Sequence, residues 1–247
     1  MFGYCAQLSF ENVYKDPTSS LASMGQHIGQ LGMTPDGSLW RLFKAGAAIS
    51  NPLLGYGSYD QPADVTPSAT AVGSRTLAIN DTTATKNKYA GGTIIIGAAA
   101  AYRRWYHISG NAASNGTTTT LYLAHPVIYA IAGTEWATVH CNRFRDVRHL
   151  SAGAGYMSVC CMPLQTVSSG YYAWGKVRGP VFGIVSSTVP GAAANDRLVV
   201  FQGTDGALIM ADESWGSSSS CQIAGWVIPR TGSTYGGGDQ DLMLMLE

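Results

Sequence analysis

Hydrophobic positions along this chain come in short runs, many alternating with polar ones, and the runs are separated by glycine, proline, asparagine and aspartate. A period of two marks a strand, because successive side chains point to opposite faces of a sheet. In GMTPDGSLWRLFKA (32–45), an Asp36-Gly37 turn precedes such a run: Leu39, Arg41 and Phe43 share one face, and Trp40, Leu42 and Lys44 the other. LVVFQGTDGALIMA (198–211) reads as two strands joined through Asp205-Gly206, and SGNAASNGTTTTLYLA (109–124) turns at Asn115-Gly116 into a Thr-rich strand. These pairs tolerate the positive φ that hairpin turns require. YYAWGKV and VFGIV flank Arg178-Gly179-Pro180 and predict a further hairpin. Pro180 has no N–H to give a ladder, so it belongs at a strand start or an edge.

Helix signals are poor. Glycine is 30 of 247 residues, proline is 10, and threonine and valine are frequent; all of these disfavour long helices. One short helix is expected around 18–27. Turn signals recur at intervals of about 8–15 residues, the spacing of an antiparallel β-barrel or β-sandwich. The fold class is therefore all-β, jelly-roll-like, with an extended N-terminal arm over residues 1–35 and a β-rich body over 36–247. A composition shift near 150–170 divides the body into two subdomains. Residues 51–75, rich in Pro, Gly, Ser and Thr, read as a loop.

Some runs are apolar on both faces: IIIG, LYLA, VVF and the final DLMLMLE. Such a strand is buried on both sides, or buried on one side and docked to another chain on the other. Composition sharpens this. Hydrophobic residues make up 46%, but charged residues only 12% and the net charge is zero, against a usual charged share of about 25%. A chain so weakly charged tends to associate. Zero net charge also argues against non-specific DNA binding, which needs cations to release counterions. The small basic group Arg143, Arg145 and Arg148, with Asp146 among them, reads as an ion-paired or solvated face. The most apolar stretch, GGTIIIGAAAAY (91–102), is shorter than the ~20 residues of a membrane span. The opening MFGYCAQLSFENVYKDP has no charged segment followed by an apolar run, so no secretory signal is expected.

Catalytic patterns are weak. The five cysteines (Cys5, Cys141, Cys160, Cys161 and Cys221) are odd in number and form no C-x-x-C, so free thiols in a reducing cytoplasm are expected. The histidines show neither H-x-x-x-H nor H-E-x-x-H, and no metal or cofactor is expected. No G-x-S-x-G elbow or phosphate-binding loop occurs. Asp239 and Asp241 could share a face as a carboxylate pair of a hydrolase, but a polar loop entering the last strand is the better account of them. Aromatics remain: Trp40, Trp105, Tyr106, Trp136, Tyr171, Tyr172, Trp174, Trp215 and Trp226. Most lie in strand patterns where core packing accounts for them. Trp215, in DESWGSSSS, reads as the best exposed candidate. The candidate interface is Phe2, Tyr4, Phe10, Tyr14, Trp40, Tyr171, Tyr172, Trp174 and Trp215, since aromatics supply contact area.

Several stretches together resemble a known family. They are DGSLWRLFKAGAAIS (36–50), KYAGGTIIIG with YHISGN (88–111), TTTTLYLAHPVIYAIAGTEWATVHCNRF (117–144), SSGYYAWGKVRGPVFGIV (168–185) and CQIAGWVIP (221–229). Their order is similar to that of the β-rich decoration, or cement, proteins on the heads of tailed double-stranded DNA bacteriophages. The matching residues are Asp36, Gly37, Trp40 and Arg41; Lys44, Ala45, Gly46 and Ala47; Gly91 and Gly92; Leu121 and Pro126; Trp174, Gly179 and Pro180; and Gly225. The chain departs from that pattern at Trp136, at Cys160-Cys161 and in RFRDVRH. The resemblance implies a structural virion protein, not an enzyme. It would be made in the host cytoplasm and bound to the capsid surface, with the major capsid protein and its own copies, as a homotrimer, for partners. It implies no direct nucleic-acid or membrane contact. Such a protein stabilises the mature shell by bridging capsomers, and an arm reaching over a neighbour would add avidity. The competing expectation is a phage tail or fibre domain, or a lectin-like module, that binds glycans through exposed tryptophan and tyrosine.

Overall fold

The computed structural model describes residues 5–24, 27–59, 63–98, 102–150, 157–186, 197–202, 204–211, 221–228 and 240–247. The protein is nearly all-β: two sheets, one a strongly curled antiparallel half-barrel, with almost no helix. The strands are β1 (Ala6–Gln7), β2 (Leu31–Met33), β3 (Leu39–Lys44), β4 (Tyr56–Ser58), β5 (Ala63–Val65), β6 (Thr76–Ile79), β7 (Thr93–Ala98), β8 (Tyr102–Asn111) and β9 (Thr119–Leu123). They continue with β10 (Trp136–His140), β11 (Val147–His149), β12 (Val159–Pro163), β13 (Tyr172–Gly183), β14 (Leu198–Gln202), β15 (Leu208–Met210), β16 (Cys221–Val227) and β17 (Gln240–Met245). The chain divides into two compact units, Asp60–Arg143 and the pair Phe2–Tyr59 with Phe144–Glu247. The division thus falls where a strand-rich insertion leaves and rejoins the larger unit, and not near 150–170.

The inserted unit is one sheet in the order β5-β10-β7-β8-β9-β6. Just past β5, Ser68 N donates to Ala78 O and Asn80 N to Thr66 O, so the last strand returns to the first. Alternation decides which face is filled. Ile94 and Ile96 of β7 point inward with Leu77, Ile79, Ile108, Leu121, Leu123 and Val139, while Ile95 between them points out. Asn111, fully buried, ties down the segment before β7: it accepts from Tyr89 N at 2.8 Å and donates to Thr85 O at 2.9 Å and Ala112 O at 2.7 Å. The 51–75 stretch, expected as a loop, contributes β4 to one unit and β5 to the other.

The larger unit carries the sheet β1-β2-β3-β13-β17-β16-β14-β15, with β4, β11 and β12 attached beside it. Residues 178–180 do not turn, contrary to the hairpin expected there. β13 runs straight through as the longest strand. It pairs with β3 over Tyr172 to Arg178 and with β17 over Arg178 to Gly183. The pairing with β3 ends at Arg178↔Leu39, so Pro180 lies beyond it with one side of β13 an edge, where a missing N–H is tolerated. The Asp36-Gly37 and Asp205-Gly206 turns form as expected, with Gly37 and Gly206 at positive φ.

Residues 5–24 and 27–35 lie on their own sheet. β1 pairs with β2, a one-turn helix α1 (Phe10–Val13) is capped by Ser9, and a 3-10 turn spans Leu21–Met24, the helical part of the expected 18–27 segment among the described residues. Leu8 and Val13 pack with Trp40, Leu42 and Trp174 in one buried cluster.

Candidate interaction surface

The last strand sets the geometry. Leu242 and Leu244 of β17 are fully buried with Val181, Val199, Ala224 and Val227. Their alternates, Met243 and Met245, therefore face the other way. Register carries that outer face across four strands: Pro180 of β13 pairs with Met243, Met243 with Trp226 of β16, and Trp226 with Leu198 of β14. Phe182 lies one step along β13 opposite Asp241, and Arg178 one step the other way opposite Met245. The result is an apolar row across four strands, with Asp241 and Arg178 flanking it on either side along β17 and β13.

Ile223 joins this row only because β16 is bulged. Leu198 pairs with Trp226 and Val199 with Gly225, but Val200 pairs with Ile223, so Ala224 is the extra residue. Ile223 and Trp226 are three apart and would face opposite sides in a regular strand; the bulge restores them to one face. Gly225 makes it possible with φ +151 and a backbone so close to β17 that a Cβ would sit 1.9 Å from Met243 O. Trp226 is left 45% exposed, and Phe182, Leu198, Ile223 and Met245 are exposed as well.

The aromatics of the candidate interface separate into three groups. Trp40 and Trp174 are 1% and 3% exposed and serve the chain's own core. Trp40 Nε1 donates to Thr34 Oγ1 at 3.1 Å, and the buried Lys176 ammonium lies 5.1 Å from its ring centroid. Phe10, Tyr14 and Tyr171 are exposed and Tyr172 half-buried, so these four remain available at the surface. Phe2, Tyr4 and Trp215 lie outside the described residues. The signal sequence reasoning missed is the outer row itself: β17 was read as apolar on both faces, but its partners Pro180, Trp226 and Leu198 depend on register.

Elsewhere, charge is absorbed locally. Arg148 makes a two-point ion pair with Asp146, at 2.7 and 3.0 Å, and lies over the Tyr59 ring. Asp36 is pushed up by burial. Hydrogen bonds from Thr34 Oγ1, Ser38 Oγ and Ser38 N, and the charge of Lys176, outweigh that and hold its carboxyl below the usual range. Burial lowers Lys176 in turn, with Asp36 partly offsetting it. Among the described residues no group of three or more His, Cys, Asp or Glu is placed to hold a metal ion. None of Cys5, Cys141, Cys160 and Cys161 is joined in a disulfide. Asp241 of β17 pairs with Phe182 of β13, and Asp239 lies outside the described residues. No helix among the described residues is long and apolar enough to cross a membrane.

Comparison of the chain with protein-family models, with curated proteins and with solved structures returns no match.

Proposed function

We propose that this chain is a structural virion protein: it binds the outer surface of a phage capsid, associates with its own copies, and stabilises the mature shell. The observation that carries the reading is the outer row Pro180–Met243–Trp226–Leu198, extended by Ile223, Phe182 and Met245. An apolar row of this kind, on a chain with only 12% charged residues, matches the apolar core of a subunit contact. The occupant is a second copy of this chain, which supplies an equally apolar and equally uncharged surface. Binding that favours one shell state stabilises it by the difference in affinity. The resemblance of the order of turn and strand motifs to that of phage decoration proteins supports the shell as the site of assembly.

Sedimentation and binding to heads test the two parts separately. The expected result is a mass near three times 26.0 kDa that collapses to one in Trp226→Asp or Met243→Lys. Added to expanded heads of the phage that encodes it, the chain should co-sediment and raise the temperature at which the heads rupture. A wild-type monomer refutes the role of the row. A trimer that neither binds heads nor protects them refutes the capsid reading.

A further inference from the structure

The inserted unit presents a second, differently built face. On the side of the sheet away from its core, β8 offers Arg103, Trp105 and His107, β7 offers Gly97, Ile95 and Thr93, and β10 offers Trp136, Thr138 and His140. Register places them in rows: Arg103–Gly97–Trp136, Trp105–Ile95–Thr138 and His107–Thr93–His140. Trp105 is 65% exposed and Trp136 is 41% exposed. Large aromatics this open on a formed sheet are not filling a core.

Both indoles are held. A Cβ on Gly97 would lie 2.3 Å from Trp136 Cζ2, so the missing side chain of Gly97 is the space in which the Trp136 ring lies down on the sheet. The Arg103 guanidinium is 5.8 Å from its centroid. Trp105 is stacked on His140, centroids 6.4 Å apart and planes 12° from parallel. Beside Trp136 opens a groove of about 430 Å³ lined by Asp64, Val65, Thr66, Asn80, Trp136 and Ala137, within the ~300–1,000 Å³ range of small-ligand sites. Its polar groups are already oriented. Asp64 Oδ1 accepts from Thr138 Oγ1 at 2.9 Å, and Asn80 Oδ1 accepts from Thr66 N at 2.7 Å, which leaves the Asn80 NH2 as that side chain's donor.

We propose that this groove binds a saccharide, with a pyranose ring stacked on Trp136 and its hydroxyls shared between Asp64 and Asn80. An indole laid flat offers a wide apolar face to the C–H face of a sugar. A carboxylate and a carboxamide accept from and donate to hydroxyls, which can do both. A nucleotide strand would also stack, but the charged group lining the groove is the Asp64 carboxylate, which repels phosphate. The 60–143 unit carries six Lys/Arg against four Asp/Glu, a weak excess for tracking a phosphate backbone. The site is independent of the outer row on β13, β17, β16 and β14, and of the assembly reading.

The test is a titration of the whole protein, following the indole N–H resonance of Trp136. The probes are maltotriose, cellotetraose, chitotriose and sialyllactose, with oligothymidylate as the competing class. At least one saccharide should shift that resonance saturably. Trp136→Ala should weaken binding by about tenfold or more, and Asp64→Asn should weaken it too, both with unchanged sedimentation. Trp136→Phe keeps a stacking face and should retain most of the affinity, which separates loss of the site from loss of the fold. No saturable shift by any saccharide overturns the proposal. So does binding indifferent to Trp136→Ala, and so does oligothymidylate binding more tightly than every sugar.

Discussion

The bulge at Gly225 is the point where backbone geometry creates the outer row, and Gly225→Ala tests it against a control in the same unit. Gly225 has φ +151, a region that costs a side-chain-bearing residue about 1–3 kcal/mol. The added Cβ would also meet Met243 O at 1.9 Å and Met243 C at 2.9 Å. Both are backbone atoms, so no side-chain rotation relieves the contact. β16 must move off β17, and each ladder bond lost there costs about 1 kcal/mol. Together these give about 3–5 kcal/mol. Gly37 is the control: its φ is +78 and nothing lies within 4 Å of where a Cβ would sit. Gly37→Ala should therefore cost only the left-handed strain, about 1–2 kcal/mol. Thermal melts of both variants, at about 2–4 °C per kcal/mol for a chain of this size, should show Gly225→Ala losing at least about twice as much as Gly37→Ala. Sedimentation gives a second reading. Gly225→Ala should lose the self-association made through Ile223 and Trp226, and Gly37→Ala should keep it. Equal losses in melting, or an intact assembly in Gly225→Ala, would refute the claim that the bulge holds the row together.

Other outcomes follow from polar groups inside the two units. Asn111→Leu should destabilise the 60–143 unit by about 1–3 kcal/mol, because it orphans the buried Tyr89 N and removes the hydrogen bonds to the Thr85 and Ala112 carbonyls; urea unfolding reads it. Acid should destabilise the protein as pH falls below about 4. Asp36, Asp81 and Glu135 are all held below their ordinary values in the fold, so the unfolded chain takes up protons first; Asp81→Asn should flatten that acid slope. Lys176 gives the same sign in an alkaline window. Burial lowers it in the fold, so stability should rise with pH from its folded value up to the unfolded value of about 10.4, and Lys176→Met should remove that rise in pH-dependent melts.

How much of this was legible beforehand depends on the range of the interaction that decides each feature. Asp36-Gly37, Asp205-Gly206 and Asn115-Gly116 were readable because a positive φ at glycine is a property of a few adjacent residues. The all-β class was readable because alternation repeats along every strand. The hairpin expected at 178–180 failed for the complementary reason. Gly179 and Pro180 look like turn residues locally, but β3 covers one end of β13 and β17 the other, and those partners lie far away in sequence. The inserted unit was hidden because its first and last strands, β5 and β10, pair with each other across most of the insertion, a contact no local pattern encodes. The two faces divide in the same way. Met243 and Met245 announced an apolar outer side through simple alternation, but their alignment with Pro180, Trp226 and Leu198 required the register, and Ile223 required the bulge. Trp136 shows the limit most plainly: its sequence neighbours are ordinary strand residues, and what makes it a platform is the bare backbone of Gly97 on the next strand. A composition rich in glycine reads as looseness along the chain, yet at Gly97 and Gly225 the absent side chain is what fixes an indole in place.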